Sequence, residues 1–304
     1  MRVQDVCNKF GVRRVITLVI VNLFSGTEVP LSAKQRTIRM ILKLVFSEPP
    51  TSKSCILAAN LNHTVAVCRV GCPKRGWWTS KWGESLNDIA FCDGKLYGLV
   101  RGVWTLFVFD ICMTKNAWPM LTVTHQLNMN LPMHTGWVRS VYERINHLTY
   151  IDISYLVKHR DRLFMALMVH WFMKQESLWT TTEKECFFKV FELIHTDDTQ
   201  ARWQEITTLG HYAFFLSATC CRVVHVPKGR RGGIEKNRIY YNHRCSTTEH
   251  DSICDDVHLR RCDNGDHLYH MGEQNLNILD GIKSVGYYVD GGSHALGWLL
   301  PPDF

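Results

Sequence analysis

The stretch DIAFCDGKLYGLV, residues 88–100, decides the fold class. It is an apolar run, an Asp93-Gly94 pair and a second apolar run. Asp-Gly tolerates the positive φ angles of a two-residue hairpin turn, so the segment predicts two antiparallel strands. LFVFDI (106–111) follows after a short connection and extends the same pattern. FFKVFELI (187–194) and ARWQEI (201–206), joined by the polar residues 195–200, predict another hairpin. NRIYYN (237–242) and DDVHLRRCDNGDHLYHM (255–271) are read the same way, the second turning at Asn264-Gly265.

These runs repeat. Lys95-Leu96-Tyr97, Arg162-Leu163-Phe164 and Arg238-Ile239-Tyr240 share a basic–aliphatic–aromatic start, 67 and 76 residues apart. A later strand ends in an aromatic–acid pair at Phe109-Asp110 and Phe191-Glu192. Degenerate copies of one strand–turn–strand unit favour an all-β, radial antiparallel architecture, a β-propeller, over an irregular β-sandwich. Helical periodicity is scarce. Lys34–Phe46 places Ile38, Ile41, Leu42 and Val45 on one helical face, yet it runs into Pro49-Pro50, so a strand ending at the prolines fits equally.

The chain has 304 residues, 46% of them hydrophobic and 21% charged, a globular composition with room for a sizeable core. No apolar run reaches the roughly 18–20 residues of a membrane helix, so no membrane partner is expected. Arg13-Arg14 before VITLVIVNLF resembles the start of a signal peptide, but Asn22 interrupts the run and a small-residue cleavage site is poorly met. The ten tryptophans are dispersed and are read as rings filling the wedges between sheets. The twelve cysteines are spread along a long chain and several sit in apolar runs, as buried thiols of a reducing compartment would. That places the chain in the nucleus or cytoplasm.

An ordered set of motifs carries a resemblance: VNLFSGTEVPL (21–31), SEPPTSKSCILAA (47–59), NDIAFCDGKLYGLV (87–100), SYLVKHRDRLFMAL (154–167), FFKVFELIHTDDTQARWQEITTLGHYAFFLS (187–217), GGIEKNRIYYNHRC (232–245) and the closing DGIKSVGYYV…WLLPPDF (280–304). Together they resemble the KIB-type β-propeller family, also called domain of unknown function 295, in the wording of its grass branch. The resemblance implies a propeller over 15–304, preceded by a poorly matched segment, 1–14. In plants such propellers usually follow an F-box that docks the Skp adaptor of a cullin-type ubiquitin ligase, and they select the protein to be ubiquitinated. This sequence departs from the pattern. It carries no F-box, which calls adaptor docking into question, and MRVQDVCNKFGVRRVITL matches poorly the strands that complete a first blade. The completeness of the N-terminal blade is therefore open.

No nucleophile motif, P-loop or HExxH is present, so no catalytic residue and no cofactor is expected. The C-terminal quarter holds His243, Cys245, His250, Cys254, His258, Cys262, His267 and His270. Zinc sites draw on close pairs of such ligands, and only His267-x-x-His270 is spaced that way, with its two side chains on opposite faces of a strand. No metal site is assigned, and a propeller-face enzyme or metal protein using this cluster stands as the alternative reading. Vicinal Cys220-Cys221 would likewise alternate faces and bury one thiol. The net charge of +7 does not identify a partner, and nucleic acid is not expected, since the basic run lacks interleaved aromatics. That run, Lys228, Arg230, Arg231 and Lys236, continued by Arg238, is the candidate partner-binding loop. The leading expectation is a non-enzymatic module that binds an unidentified protein.

Overall fold

The computed structural model describes residues 2–8, 11–17, 20–21, 28–29, 31–36, 41–61, 64–72, 76–79, 85–100, 105–115, 118–128, 147–173, 182–195, 201–228, 233–244, 258–264 and 282–290. The chain divides into two compact units, Met1–Asn128 and Met129–Phe304.

In the first unit β1 (Arg2–Asn8) and β2 (Gly11–Thr17) form an antiparallel hairpin, and β3 (Ile20–Val21) pairs with β4 (Glu28–Val29). A single helical turn, α1 (Ala33–Arg36), follows. Two four-stranded antiparallel meanders then succeed each other. The first is β5 (Lys43–Phe46), β6 (Ile56–Asn60), β7 (Val65–Arg69) and β8 (Trp78–Thr79). The second is β9 (Leu86–Cys92), β10 (Lys95–Val100), β11 (Thr105–Met113) and β12 (Pro119–Asn128). Each strand pairs with its sequence neighbour, the strand order of a propeller blade.

The segment 34–46 is helical over 34–36 and a strand at Lys43–Phe46. Ser32 and Gln35 close a capping box, Ser32 N–H donating to Gln35 Oε1 at 3.0 Å and Gln35 N–H to Ser32 Oγ at 3.3 Å. The described helical residues are Ala33–Arg36, residues 37–40 lie outside the described residues, and Lys43–Phe46 pairs with β6 in the register Lys43↔Asn60 to Phe46↔Leu57. A β-branched and aromatic stretch beside an available edge gains more from a ladder than from extending one helical turn.

Between the two meanders lies an apolar core. Ile56, Ala58, Val65 and Val67 of the first pack with Leu86, Ile89, Phe91, Leu96, Phe107 and Phe109 of the second, and Trp78 closes on its margin. Across this core runs one ion pair. Lys43 Nζ lies 2.7 Å from Asp88 Oδ1 and donates to Oδ2 at 2.8 Å, with both side chains 5% exposed. Asp88 Oδ1 also accepts from the Ile89 amide at 2.7 Å, and buried Asn60 donates to the Leu86 carbonyl at 3.0 Å. Two sheets are thus joined by polar contacts as well as by apolar packing. The outer face of the first meander buries Cys55, Leu57, Ala59, Ala66 and Cys68 with Leu31, and burial pushes the Cys68 thiol up to about 12.

The second unit contains a third antiparallel meander: β13 (His147–His159), β14 (Arg162–Met173), β15 (Thr182–His195) and β16 (Ala201–Ile206). Its neighbour is a five-stranded sheet of β17 (Tyr212–Leu216), β18 (Cys221–His225), β19 (Arg238–Arg244), β20 (His258–Asn264) and β21 (Lys283–Asp290), in the order β18-β17-β19-β21-β20. Here one expectation changes. β19 lies parallel to both β17 and β21 rather than in a hairpin, because β18 has already returned the chain to the end where β17 began. β20 pairs antiparallel with β21. Residues 265–271, which the Asn264-Gly265 signal assigns to a turn and a returning strand, lie outside the described residues. Edge-to-face ring pairs, Phe164 with Phe214 at 5.5 Å and Phe188 with Tyr241 at 4.9 Å, join the two sheets through their shared core.

Two measurements test this packing. In urea titrations, Lys43→Met or Asp88→Leu alone should lose about 3–5 kcal/mol, because each strands a buried charge, while the double variant recovers most of the loss. Equal, additive losses would show that the two groups do not act as a pair. Gly98→Ala should cost about 1–3 kcal/mol, since its Cβ would sit 2.8 Å from Leu86 Cδ1 and 3.1 Å from Phe109 Cε2.

Candidate functional site

Among the described residues, three other than glycine adopt a positive φ: Asp93 (47°), Arg160 (57°) and Asn237 (55°). Each stands immediately before one of the three basic–aliphatic–aromatic motifs or one residue further upstream. The repeat read in the sequence is therefore a turn followed by a strand start. Asn tolerates the left-handed region because its short side chain bonds locally. Asn237 Oδ1 accepts from the Leu209 amide at 2.7 Å and from Thr208 Oγ1 at 3.2 Å, and the Asn237 amide donates to the Tyr212 carbonyl at 2.8 Å.

The last two of these turns lie at one end of the second unit's sheets. Register places Tyr212 opposite His225, and Ala213, Arg238 and Lys283 in one row across the five-stranded sheet. His159, at the end of β13, lays its ring 4.5 Å from Tyr212, whose other neighbour is the His225 ring at 5.4 Å. His211 approaches His225 at 6.3 Å. Arg160, Asp161, Arg162, Lys228, Lys236 and Lys283, in the turns and strand starts at this end, are exposed. Arg162 donates from Nε and Nη2 to the two carboxylate oxygens of Glu192 and sits 5.0 Å from the Phe164 ring centre. Arg238 Nη2 pairs with Glu235 at 2.7 Å. Burial holds the His159 imidazole below its ordinary value of 6.5, and the Arg160 and Arg162 charges push it further down.

The basic loop of the sequence belongs to this end. Lys228, in the turn after β18, and Lys236, before β19, are both exposed. Arg230 and Arg231 lie outside the described residues. The loop returns to the sheet in a fixed conformation: Tyr240 OH accepts from the Glu235 amide at 2.8 Å and donates to the Gly233 carbonyl at 3.3 Å. Arg238 is tied to Glu235 and does not extend the run of uncommitted cations. Missing from the sequence reading was the ring cluster, whose members come from residues 159, 211, 212 and 225. Its one local signal was HRDR (159–162), which has the polar composition of a turn between two apolar runs.

Among the described residues no three His, Cys, Asp or Glu side chains gather as a metal site would require. Within the C-terminal cluster, His243 falls in β19, and His258 and Cys262 in β20. Cys245, His250, Cys254, His267 and His270 lie outside the described residues. Cys220 and Cys221 do not divide into one buried and one exposed thiol. Both are half-buried, since Cys220 sits in the turn before β18, where its amide donates to Ser217 Oγ at 2.9 Å.

A family model, the KIB1-4 beta-propeller, matches residues 9–272. The chain belongs to the KIB1-4 β-propeller family. The three antiparallel meanders are accordingly blades of an all-β propeller, and in this KIB1-4 chain the aromatic and basic end lies where turns join the blade strands. No curated protein matches the chain. Among solved structures, the N-terminal domain of Nup159 aligns with 65% of this chain and 45% of its own length, at 11% identity and a TM-score of 0.34. The chain thus spans less than half of that structure, and a likeness so slight carries no argument.

The His159 environment has a titration consequence. Its imidazole is held below 6.5, so its contribution to stability is complete above that pH and is lost as the pH falls through its lowered folded value. Arg160→Gln removes one repelling charge, and the His159 midpoint followed by NMR should rise. An unchanged midpoint would show that the Arg160 charge does not reach the ring.

Proposed function

We propose that this KIB1-4 propeller is a non-enzymatic protein-interaction module. It resembles the substrate-recognition propellers of plant F-box proteins, and it binds an unidentified protein in the nucleus or cytoplasm. The observation that supports the reading most is the family membership, joined to turns that display exposed cations beside clustered rings on the sheet strands. Binding residues concentrate on loops held by a scaffold, and this arrangement is such a scaffold. Buried thiols at Cys55, Cys68 and Cys92, packed as small hydrophobes, support a reducing compartment.

Affinity purification of the tagged chain from plant tissue, with mass spectrometry and reciprocal binding of purified proteins, tests the proposal. A partner bound directly and stoichiometrically by the purified chain is the expected result. A chain that binds no recovered protein directly contradicts it. Direct binding to a Skp adaptor would overturn the expectation that docking requires an F-box.

A further inference from the structure

We propose that the turn end of the second unit docks an acidic peptide segment of a partner protein. This rests on the interaction-module reading and names the surface and the chemistry it selects. Three features carry it.

The first is uncompensated charge. The carboxylates at this end among the described residues include Asp161, Glu192, Glu235 and Asp263, which stands opposite Val285 at the start of β21. Glu192 is held by Arg162 and Glu235 by Arg238. Arg160, Lys228, Lys236 and Lys283 are all exposed and outnumber the remaining carboxylates, Asp161 and Asp263. They come from the β13–β14 turn, from both ends of the β18–β19 connection and from the start of β21. Such a cluster attracts carboxylates and steers their approach.

The second is a row of tilted rings within the charge. The row His159–Tyr212–His225 offers ring faces and edges for the aliphatic and backbone parts of a peptide, with cations on its rim to take the carboxylates. Tyrosine and arginine are enriched in protein-binding centres, and charged groups such as lysine belong to their rims.

The third is fixed geometry. Asn237 and Tyr240 pin the strand side of the loop that carries Lys236, and Arg160 sits in a two-residue turn whose flanks pair as His159↔Arg162. Cations held this way lose little freedom on binding. The paired Glu192 and Glu235 carboxylates, standing among the cations, oppose a continuous phosphate backbone. They favour a peptide whose carboxylates are spaced along the chain.

Fluorescence anisotropy on the full chain tests the assignment. The probe is a fluorescein-labelled peptide of alternating glutamates and aliphatic residues. Its glutamine counterpart and a single-stranded RNA of equal charge are the comparison probes. The acidic peptide should bind, and added salt should weaken it. Lys228→Glu with Lys236→Glu should reduce its affinity by about tenfold, as expected when two rim charges are reversed. Lys53→Glu with Lys115→Glu, exposed positions of the first unit, should leave it unchanged. Circular dichroism establishes that both variants fold.

Equal losses in the two double variants would assign binding to net charge and overturn the site. So would absence of peptide binding, or tighter RNA binding that the Lys228 and Lys236 reversals abolish. The partner purification separates this proposal from the one it rests on. If the Lys228 and Lys236 variant retains the directly bound partner at full affinity, the surface is wrong and the module reading stands. If neither chain binds a protein directly, the module reading fails, while the peptide titration still decides the surface.

Discussion

The packing of the first unit depends on a charge taken out of water. Lys43 and Asp88 come from the leading strands of two successive blades, and each is buried. Desolvating two ions costs several kcal/mol apiece, and the cost is recovered only if geometry and extra hydrogen bonds are good. Here Asp88 accepts from Lys43 and from its own neighbour's amide, and Asn60 spans the same seam to Leu86. An apolar pair of similar volume could supply equal stability, so what the ion pair adds is register. A one-residue slip of β5 would turn Lys43 to the opposite face, and the Asp88 carboxylate would be left buried with no lysine to meet it. Apolar packing alone tolerates such slips far better.

The second unit joins its sheets differently. Its core has interlocking rings, Phe164 against Phe214 and Phe188 against Tyr241. Its charges are displaced to the turn end, where Arg162 and Arg238 hold carboxylates in partly exposed pairs. Exposed pairs contribute little stability. Their effect is on the field, because they neutralise two carboxylates and leave the nearby lysines and Arg160 as the dominant charge.

Much of this was legible beforehand. Asp93-Gly94 announced a hairpin because few residue pairs accept two positive φ angles in succession, and the structure has 47° and 70° there. The three basic–aliphatic–aromatic motifs marked strand starts because each follows a left-handed turn. What the sequence withheld was pairing over distance. The end of the 34–46 segment satisfied a helix and a strand equally, and the edge offered by β6 made Lys43–Phe46 a strand. The parallel placement of β19 has no local signature, since the residues of a strand read alike whichever way its neighbour runs. The site divides in the same way. Lys228 and Lys236 form a run anyone can see, whereas His159 and Tyr212 are 53 positions apart and meet only through the stacking of β13 against β18.

That division explains why the ring cluster and the basic run are better considered together than apart. A lysine-rich loop by itself is usually a solvated loop, and a cluster of half-exposed rings by itself is usually packing. Here the connection carrying Lys228 and Lys236 starts just beyond His225 and ends at Asn237, whose amide bonds the Tyr212 carbonyl. The loop is therefore anchored at both ends to the residues that form the rings. Moving the ends of that connection must disturb the ring contacts of His159, Tyr212 and His225. Charge, apolar surface and rigidity share one set of backbone contacts, and it is this coupling, more than the net charge of +7, that separates this end of the unit from the rest of its surface.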